Sequence, residues 1–177
     1  MLLFKKNKLH GAFNIILEKN EDNRGFFARV WDVNEFKKNN LNTKFVQWNS
    51  SFSKKKGTLR GLHYQKHPFG ETKLFRCTRG AIYHVMIDLR RSSPSFMQWD
   101  GIELNEKNYF MRYVPKGFAT GILSLKDNSE IFYQSSQFYH PESEEGIMWN
   151  DQAFNIKWPI HPKIISKKDN SWKTFSI

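Results

Sequence analysis

Between Gly57 and Cys77 the chain reads Gly-Thr-Leu-Arg-Gly-Leu-His-Tyr-Gln-Lys-His-Pro-Phe-Gly-Glu-Thr-Lys-Leu-Phe-Arg-Cys, and so gathers a guanidinium (Arg60), an imidazole (His63) and an ammonium (Lys73). Imidazole accepts a proton near neutral pH, and cations beside it can hold an anion or offset negative charge as it develops. Proton abstraction next to a bound anion is the chemistry this trio could do. The stretch divides into two extended pieces, residues 58–65 and 73–77, joined by a loop carrying Pro68 and Gly70 and expected to run as adjacent strands. Strict alternation groups His63 with Leu59, Gly61 and Gln65 and turns Arg60 to the other face. For both to serve one pocket the strand must bulge or bend, and Gly61 is where that costs least. Each residue also has an ordinary reading: a lone histidine is commonly a hydrogen-bonded core residue, and Lys and Arg are surface cations by default.

The 177 residues suffice for a single domain, residues 1–177, with a sizeable core, and no linker, repeat or low-complexity segment divides them. With 16 Phe and 6 Trp the chain has ample apolar surface to bury. Short aromatic and β-branched runs, split by Gly, Pro, Asn and Ser, predict an all-β chain. Strands are expected over residues 14–17, 26–31, 45–53, 81–89, 96–104, 109–114, 121–124 and 130–134, besides the two above. Asp32-Val-Asn-Glu35 fits a capping box and predicts one short helix reaching about Lys38. Along residues 45–53, Gln47, Asn49, Ser51 and Ser53 share one face while Val46, Trp48 and Phe52 share the other. The polar stripe is either the wet side of a sheet or the wall of a binding cavity. From Glu142 onward the chain reads as an irregular tail that wraps the domain. About ten strands with regular turn signals predict a jelly-roll β-sandwich or barrel.

The formal charge of +11 raises a nucleic-acid reading, since basic surfaces attract phosphate. The lysines are scattered, however, and no recognition helix, zinc spacing or basic helical stripe accompanies them; a solvated surface that suits an anionic small substrate is the simpler reading. No nucleic-acid partner is expected. Cys77 is the only cysteine, so no internal disulfide can form. The start, Met1-Leu-Leu-Phe before Lys5 and Lys6, is too short for a signal segment, and no apolar run reaches spanning length, which predicts a cytoplasmic protein without membrane contact. Metal-binding jelly rolls usually place two histidines one residue apart; Tyr64 and Gln65 follow His63 here, and no metal is expected.

Further motifs surround the central stretch. They are Asp22-x-Arg-Gly-Phe-Phe27, Gln47-x-Asn49, Lys73-Leu74, Asp88-Leu-Arg90, Pro115-x-Gly-Phe-Ala119 and Tyr133. Tyr139-x-Pro-Glu142, Trp149-Asn-Asp151, Trp158-Pro159 and Ser166-Lys-Lys-Asp169 follow. In content and order the set resembles the dTDP-4-dehydrorhamnose 3,5-epimerase family, from Asp22 to Asp169. The resemblance implies a cupin-like jelly roll that epimerises a nucleotide-diphosphate-linked 4-keto sugar without a cofactor. It implies a homodimer whose N-terminal strands cross to the partner subunit. His63 would be the general base, Asp169 its orienting carboxylate, Tyr133 the acid on the opposite face, and Lys73 the cation near O4. Arg60 would bind the diphosphate, and Gln47, Asn49 and Tyr139 would line the substrate site. Arg24 and Phe27 would serve the neighbour's nucleotide site, with Arg29 beside them.

The chemistry asks for these residue types in its own right. A ketone at C4 acidifies the hydrogens at C3 and C5, because the carbanion delocalises onto oxygen as an enolate. Inversion needs a base on one face and a donor on the other, which imidazole and phenol supply with reference pKa values of roughly 6.5 and 10. Taken without the family, Tyr133 reads as β-core and Asp169 as solvated loop. The chain departs from the usual motif at Arg29 (often Glu), Glu71 (Gln), His84 (Asp) and Thr120 (His). Arg29 has donors only and suits an acceptor-rich base edge such as guanine. The resemblance makes dTDP-4-keto-6-deoxyglucose the default substrate, in surface polysaccharide biosynthesis, and Arg29 with the altered sugar-side positions makes a GDP-linked 4-keto heptose the alternative. A non-catalytic nucleotide-sugar-binding jelly roll is the rival from another class; it has no need of His63, Lys73, Tyr133 and Asp169 together.

Overall fold

Period-two patterning builds almost the whole molecule. The computed structural model describes residues 2–176. Leu2–Lys6 (β1) and Phe13–Leu17 (β2) pair as an antiparallel hairpin, with Phe13, Ile15 and Leu17 turned inward. Lys19–Asp22 (β3) and Gly25–Ala28 (β4) form a separate two-stranded ribbon. Asp32 then caps the helix Val33–Lys38 (α1), its Oδ1 accepting the N–H groups of Asn34 and Glu35. Fully buried Phe36 anchors that helix among Phe13, Ile15 and Tyr113.

There follow Gln47–Ser53 (β5), Thr58–Gln65 (β6), Lys73–Arg79 (β7), Ala81–Asp88 (β8), Trp99–Asn105 (β9), Phe110–Val114 (β10), Phe118–Ser124 (β11) and Ser129–Ser135 (β12). The tail adds Glu144–Gly146 (β13) and Ile164–Ile165 (β14). One sheet runs β1-β2-β10-β7-β12-β5; the other runs β13-β6-β11-β8-β9, with β14 parallel beside β6. Phe75, Cys77, Val114 and Ile131 of the first sheet meet Ile82, Met86, Leu104 and Phe118 of the second. Each Val, Leu, Ile, Phe or Met among them contributes roughly 1.5–3 kcal/mol when fully buried. Ile147 and Phe154 of the tail cover Leu62, Val85, Ile87 and Ala119 on the outer side of the second sheet. This is the expected jelly roll with one short helix.

Several expectations require correction. β6 and β7 are not neighbours in a sheet: they belong to opposite sheets, and the 66–72 connection crosses the sandwich. The strand expected over 26–31 ends at Ala28, because it pairs only with β3. The one expected over 96–104 begins at Trp99, after a turn in which Met97 adopts a φ of 64°. β5 starts at Gln47 rather than at Phe45. The tail is less irregular than expected, since β13 and β14 both add to β6. β1 and β3 were not foreseen, being short and rich in charge.

The bend expected at Gly61 is present. Thr120 pairs with His63 but Ile122 pairs with Arg60, so β6 holds one extra residue against β11. Gly61 has a φ of +116°, and a Cβ there would lie 2.6 Å from the Thr120 carbonyl oxygen and 2.8 Å from Gly121 Cα. Backbone atoms on a paired strand cannot yield to it. Gly61→Ala is expected to cost at least about 1–3 kcal/mol of stability, read as a lower denaturant midpoint at unchanged slope. An unchanged midpoint would mean that the bulge does not depend on glycine.

Candidate active site

Because β6 and β7 face each other, His63 and Lys73 look into the space between the sheets. A cavity of about 540 Å³ lies there, and Arg60, His63, Lys73, Thr120, Tyr133 and Asp169 are among its walls. A second of about 420 Å³ adjoins it through His63, Lys73 and Tyr133. The bulge at Gly61 is what lets Arg60 and His63 reach the same cavity.

His63 Nε2 lies 2.6 Å from Asp169 Oδ1, and Asp169 Oδ2 accepts the Gly61 N–H at 3.3 Å. The Asp169 side chain is only 6% exposed whereas His63 keeps 28%, so the carboxylate is shielded and the imidazole remains reachable. Burial alone would push the Asp169 carboxyl up; the hydrogen bonds and charge of His63, with the Gly61 N–H, hold it below its ordinary value. A carboxylate accepts a ring N–H, so in the neutral ring the lone pair sits on Nδ1. Trp172 sets its ring against the His63 ring, centroids 6.0 Å apart. It passes directly over Gly146, where a Cβ would fall 2.3 Å from the indole.

Tyr133 stands on β12 opposite Phe75, and the two rings stack at 5.3 Å. Burial first, then the nearby Glu71 carboxylate, raises its phenol above the ordinary value, which keeps it protonated. Lys73 Nζ rests on Glu71 Oε1 at 2.5 Å, each side chain 13% exposed, so this lysine is no surface cation. Glu71 Oε2 accepts the Ser135 hydroxyl at 2.6 Å. Arg60 donates to the Phe52 carbonyl at 2.9 Å and to Ser53 Oγ at 3.4 Å.

The polar face of β5 proves to be cavity wall: Gln47 and Asn49 line the second cavity with Tyr139, while Trp48 and Phe52 on the other face are exposed. Gln47 Oε1 accepts the Tyr139 N–H at 2.9 Å. The Tyr139 hydroxyl donates to Glu144 at 2.5 Å, and Lys168 pairs with the same carboxylate. Arg24, Phe27 and Arg29 line neither cavity. Arg24 pairs with Asp22 at 2.6 Å, Phe27 is 63% exposed on the ribbon, and Arg29 pairs with the helix-capping Asp32 at 3.6 Å.

Glu71 as a partner of Lys73, and with it Ser135, Glu144, Lys168 and Trp172, was not foreseen from the sequence. Lys168 adjoins Asp169 and could have been found from that; the others carry no local signal. His84 lies wholly buried beneath Phe75, ring centroids 4.4 Å apart, with neither ring nitrogen bonded. Burial, then Arg112 and Lys73, lowers its pKa well below the usual value, so it is neutral. Among the described residues no group of three or more His, Cys, Asp or Glu is placed to hold a metal ion. None of their helices is long and apolar enough to cross a membrane.

A jelly roll with a carboxylate-held imidazole, a lysine and a half-buried phenol around one cavity is the architecture of a sugar epimerase. Residues 6–176 match the dTDP-4-dehydrorhamnose 3,5-epimerase family, and the chain belongs to that family of isomerases. A dTDP-4-dehydrorhamnose 3,5-epimerase of Methanothermobacter thermautotrophicus is 41% identical over 174 residues, covering 96% of this chain and 92% of the relative. The crystal structure of the Bacillus anthracis enzyme of that name, with TDP and PPi bound, superposes at a TM-score of 0.95. It is 35% identical, covering 99% of this chain and 100% of that one. A 3'-monoepimerase of Streptomyces bikiniensis in complex with dTDP-quinovose superposes at 0.87, with 29% identity over 95% of this chain and 85% of that one.

The depressed carboxyl of Asp169 has a thermodynamic consequence. A group whose folded pKa lies below its unfolded value, about 3.9 for Asp, adds stability above that value and loses it as pH falls through the folded pKa. Asp169→Asn is therefore expected to be less stable than wild type at pH 7, with the gap closing below about pH 4. Denaturant titrations at pH 7 and pH 3 check this; a gap of equal size at both would show that the carboxylate's charge is not what stabilises the tail.

Proposed function

We propose that this protein inverts C3, C5 or both of a dTDP-linked 4-keto-6-deoxy sugar in surface polysaccharide biosynthesis. The observation that carries the reading is the shielded Asp169 on Nε2 of a reachable His63, in one cavity with Tyr133. His63 takes the proton from the carbon next to the ketone, and Asp169 orients the ring and offsets its acquired charge. Lys73 stabilises the enolate oxygen that was O4. Tyr133, kept protonated, returns a proton to the opposite face. Arg60 binds the diphosphate, and Gln47, Asn49 and Tyr139 bound the substrate.

Arg24 and Phe27 stand outside their own chain's cavities on a ribbon separate from the two large sheets, which supports a homodimer in which that ribbon serves the partner's nucleotide site. Phe27 is free to stack on a base there. Arg29 already rests on Asp32, and a guanine edge would have to compete with that carboxylate. This, with the dTDP named for the relatives, favours thymidine over guanosine. A purely binding role would leave the orientation of His63 by a buried carboxylate without purpose.

Incubation with dTDP- and GDP-linked 4-keto sugars in D2O, followed by mass spectrometry, tests the reading, since mass gain counts the exchanged carbons. His63→Ala should abolish exchange while leaving nucleotide affinity within a few-fold. Near-normal exchange in that variant would remove His63 as the base. Tyr133→Phe should keep exchange but slow inversion by about 10²–10⁴. Equal loss of both would give Tyr133 another role.

A further inference from the structure

We infer that Glu71 is a positioning residue of the proton-transfer site, its carboxylate clamping Lys73 of β7 to Ser135 of β12. It thereby sets the electrostatic surroundings of Tyr133. Lys73 and Ser135 are direct cross-strand partners, and Glu71 gives one oxygen to each, at 2.5 and 2.6 Å. The clamp is rigid at its root: the Thr72 N–H donates to Ser136 Oγ at 2.8 Å and the Ser136 N–H donates to the Thr72 carbonyl at 2.9 Å. Tyr133 lies two residues before Ser135 on the same face of β12, and Glu71 lines the cavity beside it.

The charged and titratable groups around Tyr133 come from several elements. Arg60 and His63 approach from β6, Lys73 from β7, Glu144 from β13, and Asp169 behind His63. His84 of β8 lies beyond Phe75 and is neutral. Glu144 is engaged by Lys168 and Tyr139, and Asp169 by His63. Glu71 is thus the carboxylate that acts most on the phenol, after burial itself. It also fixes the ammonium on one side of the cavity, so that a ketone oxygen approaching Lys73 meets a cation whose place is already set. A carboxylate there restrains the phenol from ionising, and a neutral amide would not.

This inference rests on the proposed epimerase reading, and the test separates the two. Glu71→Gln keeps an acceptor for Ser135 and removes the charge. Carboxylate charge favours the protonated phenol, so its loss is expected to shift the alkaline limb of the inversion rate to lower pH by about one unit. The same shift should appear in the ligand-free protein as a lower titration midpoint of Tyr133, followed by NMR with ring-labelled tyrosine. Ser135→Ala removes one arm of the clamp but keeps the charge; it should slow inversion and leave the alkaline limb in place. An unmoved Tyr133 midpoint in Glu71→Gln, or a limb that moves equally in Ser135→Ala, overturns the inference. If the wild type exchanges no deuterium with any nucleotide-linked 4-keto sugar, the catalytic reading fails. The Tyr133 titration in the same proteins then still decides whether Glu71 governs the phenol.

Discussion

A carboxylate shut away from water must have partners, and Asp169 finds them on a strand 106 residues away. His63 takes one oxygen and the Gly61 N–H the other, so a single residue of the tail meets both the imidazole and the bulge beside it. The path of the tail follows from this requirement. The Lys163 N–H bonds to the Gly57 carbonyl at 2.8 Å, β14 runs parallel to the start of β6, and Asp169 arrives beneath His63. Removing His63 would leave a buried carboxylate short of a partner, so ordering the tail and assembling the site are coupled. An irregular segment can be as firmly specified as a strand when a buried charge fixes its end.

The cations of the cavity divide by the partners they keep. Lys73 is matched by Glu71 and Lys168 by Glu144, so neither adds a net charge where it stands. Arg60 is held by a carbonyl and a hydroxyl, which orient the guanidinium without cancelling it. An incoming diphosphate would therefore find its uncompensated charge at Arg60. In the proposed reaction the compensated ammonium of Lys73 suits another role, because it gains little from the neutral ketone of the ground state and more from the oxyanion that forms from it. On the proposed reading, local pairing rather than the chain's +11 separates the cation that binds from the one that assists.

Strict alternation made β5 and β8 legible, and the need for Arg60 and His63 to share a pocket pointed to the bend at Gly61. Asp32 and the turn that follows it marked α1. Alternation says nothing about which sheet a strand joins, however. The loop after Gln65 looks like a hairpin connection, yet it crosses the sandwich, because β6 and β7 each find better partners in β11 and β12. β13 and β14, of three and two residues, carry no pattern long enough to read. Asp169 was legible only through resemblance, since no local pattern distinguishes a carboxylate that will be buried by distant packing. Glu71 looked like a mere departure from a motif until its two oxygens could be seen joining two strands.

In the proposed reaction, proton transfer and base recognition are thus encoded at different distances along the chain. His63, Lys73, Tyr133 and Asp169 are brought together by the sandwich and its tail, and one copy of the fold suffices to place them. Arg24, Phe27 and Arg29 sit on or beside a ribbon that shares no strand with either large sheet. The exposed Phe27 has no core to enter, and its ring is free to be covered from outside. In the proposed dimer the covering surface is a bound base in the partner's site. Base choice could then vary through the ribbon without disturbing the buried bonds that hold the imidazole.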